Sequence, residues 1–272
     1  MPELPEVETT LRGIQPHILN LKISSIIVRQ SSLRWPVPEK LIRKKLMSNS
    51  FNNITRRGKY LLLESSNEFL IIHLGMSGSL RITEEQNLRK HDHIDICFED
   101  GTILRYCDPR RFGCFLWTNN PSDHFLLKNL GPEPLGNNFN GQYLFSLSRG
   151  KKVPIKNFIM NSHVVVGVGN IYASEALFAS GIRPSSRAGR ISKNKYEELA
   201  NKIVELLRKS IDKGGTTLRD FVSGNNEPGY FKQSLMVYGR EGETCYKCSS
   251  RIKSLRIGQR ASAFCPKCQI SF

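Results

Sequence analysis

Near the end of the chain, Cys245-Tyr246-Lys247-Cys248 and Cys265-Pro266-Lys267-Cys268 are separated by sixteen residues. No other feature limits the fold so tightly. Two Cys-x-x-Cys knuckles facing each other supply four thiolates in a tetrahedron, which is the coordination of a structural zinc with no open position for substrate. A pair of redox dithiols is the other chemistry that this spacing allows. A bound zinc supplies roughly 10–16 kcal/mol, enough to hold a segment too short to build its own core. Residues 251–264 between the knuckles read as a hairpin carrying Arg251, Lys253, Arg256 and Arg260, with no acidic residue. Pinned by metal, such a hairpin suits contacts with phosphates; a solvated basic face has the same composition.

The basic bias extends to the whole chain. Lys and Arg number 40 against 24 Asp and Glu, a net charge of +16 over 272 residues. That excess favours a polyanionic partner, most often nucleic acid. The length suits two domains with real cores. No run approaches the ~18 apolar residues of a membrane span, and Glu3, Glu6 and Glu8 oppose a signal-peptide reading. A reducing, cytoplasmic location is therefore expected. There Cys97, Cys107 and Cys114, which lack metal spacing, act as small apolar fillers.

The other terminus carries a possible nucleophile. In Met1-Pro2-Glu3-Leu4-Pro5-Glu6, loss of Met1 leaves Pro2 with a free secondary amine. Such amines attack electrophilic carbons and form imines, and an α-amino group titrates near pH ~8, well below lysine. Glu3 and Glu6 are candidate proton carriers. The same hexapeptide also reads as a plain helix start, with Pro5 in the first turn and acidic residues complementing the dipole.

From Pro5 to about Leu19 the apolar residues Val7, Leu11, Ile14 and Ile18 mark one face of an amphipathic helix. Short apolar or alternating runs then predict strands over residues 23–28, 60–64, 69–74, 93–98, 102–106 and 112–117, and Asp100-Gly101 forms a hairpin turn. Six strands and a terminal helix point to a two-layered β-sandwich. Residues 130–138, with two prolines, two glycines and two asparagines, form the candidate linker. Helix signals follow, clearest over residues 193–212, where a 3.6-residue stripe ends at Gly214-Gly215. The predicted division is a β-sandwich domain over 1–130, a linker over 131–138, a helical domain over 139–234 and a zinc hairpin over 235–272.

Two further groups carry chemistry. Val166-Gly167-Val168-Gly169-Asn170 precedes a helix, with Asn170 as its predicted N-cap. Free amides there suit a phosphate, although the sequence also fits an ordinary turn. In the strand-rich half, Arg57-Gly58-Lys59, the stretch from His73 to Gly78, Lys90-His91-Asp92-His93 and the stretch from Asp108 to Gly113 stand out. Met76 and Phe112 lie in glycine-bearing turns that a core does not require. An apolar wedge beside Arg110 suits an enzyme that fills the gap left by an extruded base. His91 and His93, read as facing opposite sides of a strand, are expected to make hydrogen bonds or phosphate contacts rather than ligate a metal.

In order and in residue type, these motifs resemble the formamidopyrimidine-DNA glycosylase family over essentially the whole chain. The resemblance implies an α+β fold: an N-terminal β-sandwich flanked by helices, then a helix–two-turn–helix domain with a four-cysteine zinc-finger hairpin. It implies a monomer that binds double-stranded DNA between its domains, excises oxidised purines and cleaves the abasic strand by β,δ-elimination. Pro2 is implied as the nucleophile, Glu3 as the general acid and Glu6 as support for the amine. Lys59, Asn170 and Arg260 correspond to a phosphate clamp, with Lys59 and Arg260 also acting in elimination. Met76, Arg110 and Phe112 correspond to the gap-filling residues, and His91 and Lys151 to further DNA contacts. Cys245, Cys248, Cys265 and Cys268 are the implied zinc ligands. Residues 216–230 correspond to a loop over the extruded base. Leu4 and the 108–113 turn distinguish the chain from the endonuclease VIII group, which shares the fold and chemistry. Ser262 stands where Thr is usual, and Ser249 where Gly is usual, so one zinc knuckle is expected to be strained.

Overall fold

The stepping of Val7, Leu11, Ile14 and Ile18 closes into helix α1 (Leu4–Ile18), with all four side chains buried. In the computed structural model, which describes residues 2–85, 87–215 and 234–272, the chain forms two compact units. One is built on Met1–Lys128, the other on Asn129–Lys213 and the C-terminal segment to Phe272.

In the first unit α1 is followed by β1 (Ile23–Val28), α2 (Glu39–Leu46), β2 (Asn53–Arg57), β3 (Tyr60–Ser65), β4 (Glu68–His73) and β5 (Ser79–Thr83). The remaining strands are β6 (Asp92–Phe98), β7 (Ile103–Cys107) and β8 (Cys114–Thr118). They make two antiparallel sheets, ordered β1-β6-β7-β5 and β2-β3-β4-β8. Ile26, Ile94, Ile96 and Leu104 of one sheet and Leu61, Leu63, Leu70 and Ile72 of the other share a single buried cluster with Val7 and Ile14 of α1. This is the predicted sandwich. Each fully buried Leu or Ile contributes about 1.5–3 kcal/mol.

The six predicted strands are all present, while β2 and β5 have no counterpart in the sequence pattern. Both are sheet edges. β2, Asn-Ile-Thr-Arg-Arg, buries one residue, as a charged edge that resists pairing with another chain does. In β5 the buried Arg81 breaks the alternation, and its partner is a distant carboxylate. Arg81 forks onto Asp92, and Arg105 onto Asp95 with both bonds at 2.8 Å. Burial works against the charge on Asp95, yet the Arg105 and Arg29 guanidiniums hold its carboxyl below the usual range; Arg81 does the same for Asp92.

The second unit carries α3 (Gly141–Ser148), α4 (Ile155–Met160), α5 (Asn170–Ala179) and α6 (Lys193–Asp212), then the hairpin β9 (Lys253–Ile257) and β10 (Arg260–Phe264). α6 spans the predicted residues, with Ser192 capping it through the Lys195 amide. Its buried stripe includes Tyr196, Leu199, Ile203 and Leu207. α3 packs so closely on α6 that a Cβ at Gly141 would meet the Glu197 Cα at 2.3 Å. Residues 130–138 hold no helix or strand.

Candidate active site and nucleic-acid interface

Pro2 stands half-buried immediately before α1. Behind it Glu3 and Glu6 are only 2% and 1% exposed. The Glu3 amide donates to the Glu6 carboxylate at 2.9 Å, within a reciprocal capping box. The helix-start reading is thus found: the cap that begins α1 fixes two buried acidic residues, the first directly following Pro2 in the chain.

One turn further, Glu8 accepts from Arg56 at 2.9 Å and from Arg12 at 3.0 Å. Burial opposes ionisation of Glu8, but Arg56 and Arg12 hold its carboxyl below the usual range. Arg56 also donates through Nη1 to the Gly58 carbonyl at 2.9 Å. Gly58 has φ +59° and opens the two-residue loop between β2 and β3, the glycine-first arrangement of a type II′ turn. Lys59 completes that loop, so an ion pair ties the helix behind Pro2 to the turn that bears Lys59. His73 lies near this charge. Burial first, then Lys59 and Arg34, lower its pKa to about 4. Its Nδ1 accepts the Gly75 amide at 3.0 Å, which leaves the hydrogen of the neutral ring on Nε2.

Met76 and Phe112 are 40% and 42% exposed, as the wedge reading requires. Their turns meet backbone to backbone: a Cβ on Gly75, whose φ is +63°, would lie 2.5 Å from the Phe112 carbonyl carbon. The Arg110 guanidinium sits 4.9 Å over the Phe112 ring. The expectation for His91 and His93 needs correction, because alternate residues of a strand share a face. His91 precedes β6 in a left-handed conformation (φ +74°), and the two rings lie 6.1 Å apart. His93 Nε2 hydrogen-bonds the Asp108 carbonyl at 2.9 Å. Hydrogen bonding is thus found at His93, although the reason offered for it was wrong.

The second unit holds Lys151, Asn170 and Arg260. Lys151 is exposed on a loop whose backbone accepts from the Gly189 amide at 2.9 Å. Gly169, not Asn170, is the N-cap of α5. Asn170 is the first helical residue, and its buried Oδ1 has no hydrogen-bond partner among the described residues. Arg260 opens β10 after Gly258 and Gln259, whose φ of +52° and +63° suit a type I′ turn. Arg251, Lys253, Arg256 and Arg260 are all exposed. From α4, the fully buried Lys156 donates to the Ala261 carbonyl at 3.1 Å and to Ser262 Oγ at 2.8 Å. The Asn157 side chain abuts Gly258. Residues 216–230 lie outside the described residues.

The four cysteine sulfurs lie within 4.8 Å of one another, with Cys245–Cys268 at 3.9 Å and Cys248–Cys265 at 3.4 Å. A tetrahedral zinc with Zn–S of ~2.3 Å separates its sulfurs by about 3.8 Å, so the set fits the ion. Burial and the neighbouring thiols push the Cys268 thiol up, while Ser250 lowers Cys248 to about 6; four thiolates this close need a cation between them. Ser249 adopts φ +60°, the strained knuckle predicted where glycine is usual. Glu175 on α5 grips the root of the hairpin. Its carboxylate accepts the amides of Met236, Val237 and Tyr238 at 2.8–2.9 Å, and burial pushes its pKa up against these donors. Gln269 does the same at the other end, accepting from the Cys265 amide and donating to the Ile182 carbonyl, both at 2.8 Å.

Three family models match the chain: the formamidopyrimidine-DNA glycosylase N-terminal domain over residues 1–115, the formamidopyrimidine-DNA glycosylase H2TH domain over 130–222, and the zinc finger found in FPG and IleRS over 242–270. Formamidopyrimidine-DNA glycosylase of Stutzerimonas stutzeri is 54% identical over 270 residues, covering 99% of this chain and all of the relative. The chain belongs to the formamidopyrimidine-DNA glycosylase family. The Pseudomonas aeruginosa glycosylase is 55% identical at the same coverage. Among solved structures, a Lactococcus lactis FPG mutant in complex with Fapy-dG DNA has TM-score 0.91 and 33% identity, covering 98% of this chain and 99% of that one. MutM with carbocyclic 8-oxo-G DNA has TM-score 0.90 and 34% identity at the same coverage. The zinc-finger match spans all four cysteines, which hold one structural zinc.

Several roles in the two units were not visible in the sequence. Arg56 joins elements far apart in sequence, and so does Asp108, which reads there only as the start of its turn. Glu175 had one visible signal: it is an acid in α5, where every residue from Ile171 to Phe178 is buried.

Proposed function

We propose that this chain is a bifunctional DNA glycosylase and lyase of base excision repair, acting as a monomer on double-stranded DNA that contains oxidised purines such as 8-oxoguanine and formamidopyrimidines. The observation that carries this reading is the pair of buried acidic residues, Glu3 and Glu6, joined by the α1 cap that begins directly after Pro2. Full-length relatives solved with Fapy-dG, abasic-site and 8-oxo-G DNA support the substrate class.

With Met1 removed, the Pro2 amine attacks the deoxyribose C1′. The bond from C1′ to the base breaks, the base leaves as its nitrogen gains a proton, and a Schiff base joins Pro2 to the sugar. Glu3 supplies protons for ring opening and base loss, and Glu6, bonded to the Glu3 amide, holds the amine in place. β-Elimination expels the 3′ phosphate and δ-elimination the 5′ phosphate. Lys59, Asn170 and Arg260 bind phosphates around the flipped nucleotide, and Lys59 carries protons during elimination. Arg260 holds its proton above pH ~12, so it stabilises the charge of the leaving phosphate instead of donating to it. Met76, Arg110 and Phe112 fill the gap and probe the opposite cytosine, while His91 and Lys151 add DNA contacts.

The working organisation is a sandwich domain over 1–130, a linker over 131–138, a helical domain over 139–234 and a zinc hairpin over 235–272. Action on DNA supports a place in the cytoplasm, on nucleoid DNA; among the described residues no helix is long and apolar enough to cross a membrane.

Borohydride trapping tests the reading. The protein lacking Met1 should form a covalent adduct with an 8-oxoguanine duplex, and Pro2→Gly should largely fail to. No adduct from the unaltered protein would remove the lyase claim.

A further inference from the structure

Asp108 is completely buried, and its carboxylate takes four donors. Oδ1 accepts from Ser77 Oγ at 2.7 Å and from the Arg110 amide at 3.2 Å. Oδ2 accepts from the Tyr106 hydroxyl at 3.0 Å and the Gly113 amide at 2.9 Å. The backbone of the same residue donates to the His91 carbonyl at 3.1 Å and accepts from His93 Nε2 at 2.9 Å. One residue thus joins the turn that carries Met76, the turn that carries Arg110 and Phe112, and the stretch that carries His91.

The surroundings leave little slack. The Tyr106 hydroxyl is wedged between the two turns: a Cβ on Gly113 would lie 1.9 Å from it, and one on Gly78 at 2.9 Å. Burial, then Asp108 itself, raises the Tyr106 pKa, so this hydroxyl stays a donor. Only a carboxylate accepts at both oxygens. An amide in its place must turn NH2 hydrogens toward two of the four donors, and the Gly113 and Arg110 amides have no freedom to rotate away.

We infer that Asp108 is the positioning residue that locks the Met76 turn against the Arg110–Phe112 turn, and thereby sets how strictly the base opposite the lesion is read. This rests on the reading of Met76, Arg110 and Phe112 given above. Asp108 touches no substrate in this scheme; it acts through the two turns.

The test uses the full chain with zinc bound and three substrates: 8-oxoguanine opposite cytosine, 8-oxoguanine opposite adenine, and a single-stranded abasic oligonucleotide, which has no opposite base to read. In Asp108→Asn, single-turnover excision opposite cytosine should fall about tenfold or more, as expected when buried donors lose their acceptor. The preference for cytosine over adenine should shrink several-fold, and trapping on the single strand should fall much less than duplex excision. Ser77→Ala and Tyr106→Phe, which each remove one donor, should shift the preference the same way by smaller factors. A preserved preference in Asp108→Asn, or equal losses on all three substrates, would overturn the inference. If Asp108→Asn does not fold, an unchanged preference in both single-donor variants overturns it. Arg110→Ala separates the layers: if it keeps the cytosine preference, the reading of the turns fails and the inference falls with it.

Discussion

The sandwich and the zinc hairpin of this glycosylase solve the problem of holding a functional side chain in opposite ways. Both sheets and α1 of the sandwich enclose one continuous core, from Val7 through Ile72 to Phe115. Beneath the hairpin lies a separate cluster of Phe178, Val237, Cys245, Ile252, Ala263 and Cys265, in which two members are metal ligands and one belongs to α5. Pro2, Glu3, Glu6 and Lys59 are thus carried by a region that buries enough apolar surface to stand on its own. Arg260 is carried by one that takes its stability from zinc and from a neighbouring helix. On the proposed roles, the chemistry at Pro2 and the phosphate contact at Arg260 therefore have separable stabilities.

Removing zinc should break the contrast most visibly. Chelation, or Cys265→Ala, forfeits metal binding of the order of 10 kcal/mol, so DNA binding should be lost while the sandwich stays folded. Trp35 and Trp117 are the only tryptophans and both precede residue 128, so their fluorescence melting curve reports on the sandwich alone and should barely move. Asp95→Ala is the complementary experiment. It takes from Arg105, 1% exposed, the carboxylate that holds it with two bonds, leaving the longer pairing with Asp92, and should cost the sandwich about 3 kcal/mol, read from the denaturant midpoint while the zinc content stays at one per chain.

Acid should sharpen the comparison further. The folded carboxyls of Glu8, Asp92 and Asp95 are held below their usual values. Their contribution is therefore complete above the unfolded values of about 4 and is lost as pH falls through the depressed folded values. Tryptophan fluorescence should thus report a stable sandwich down to about pH 4 and falling stability below it. Glu8→Gln should weaken the sandwich by about 1–2 kcal/mol at pH 7 and make its stability less sensitive to acid. The smallest effect is expected at Ser249, where φ is +60°. Ser249→Gly should relieve at most about 1 kcal/mol, seen as slower zinc loss to a chelator with an unchanged sandwich midpoint.

What could be read from the sequence follows the range of the forces involved. The α6 stripe and the cysteine spacing are local periodicities, and both are found where they were predicted. β2 escaped because a charged edge strand lacks apolar alternation, and β5 because Arg81 becomes a core residue only once Asp92 faces it across the sheet. Asn170 reads as a cap by composition, yet the cap falls one residue earlier, at Gly169, and Asn170 is the first helical residue. The histidine pair was misjudged because residues two apart on a strand share a face, and His91 in any case precedes β6. Met76 and Phe112 were legible as turn residues too large for their turns, and Asp108 as the start of one, but the four donors drawn by its carboxylate have no sequence signature.

The three amides held by Glu175, with the Gln269 bridge to Ile182, have a consequence for anyone who would reuse this hairpin. It is not a cassette. Excised as residues 235–272, it leaves behind the carboxylate that seats Met236, Val237 and Tyr238 and the carbonyl that Gln269 grips. Transplanted into another scaffold, it needs a host helix that offers an acid in the place of Glu175; without one, the metal alone must organise a loop that here Glu175 also holds.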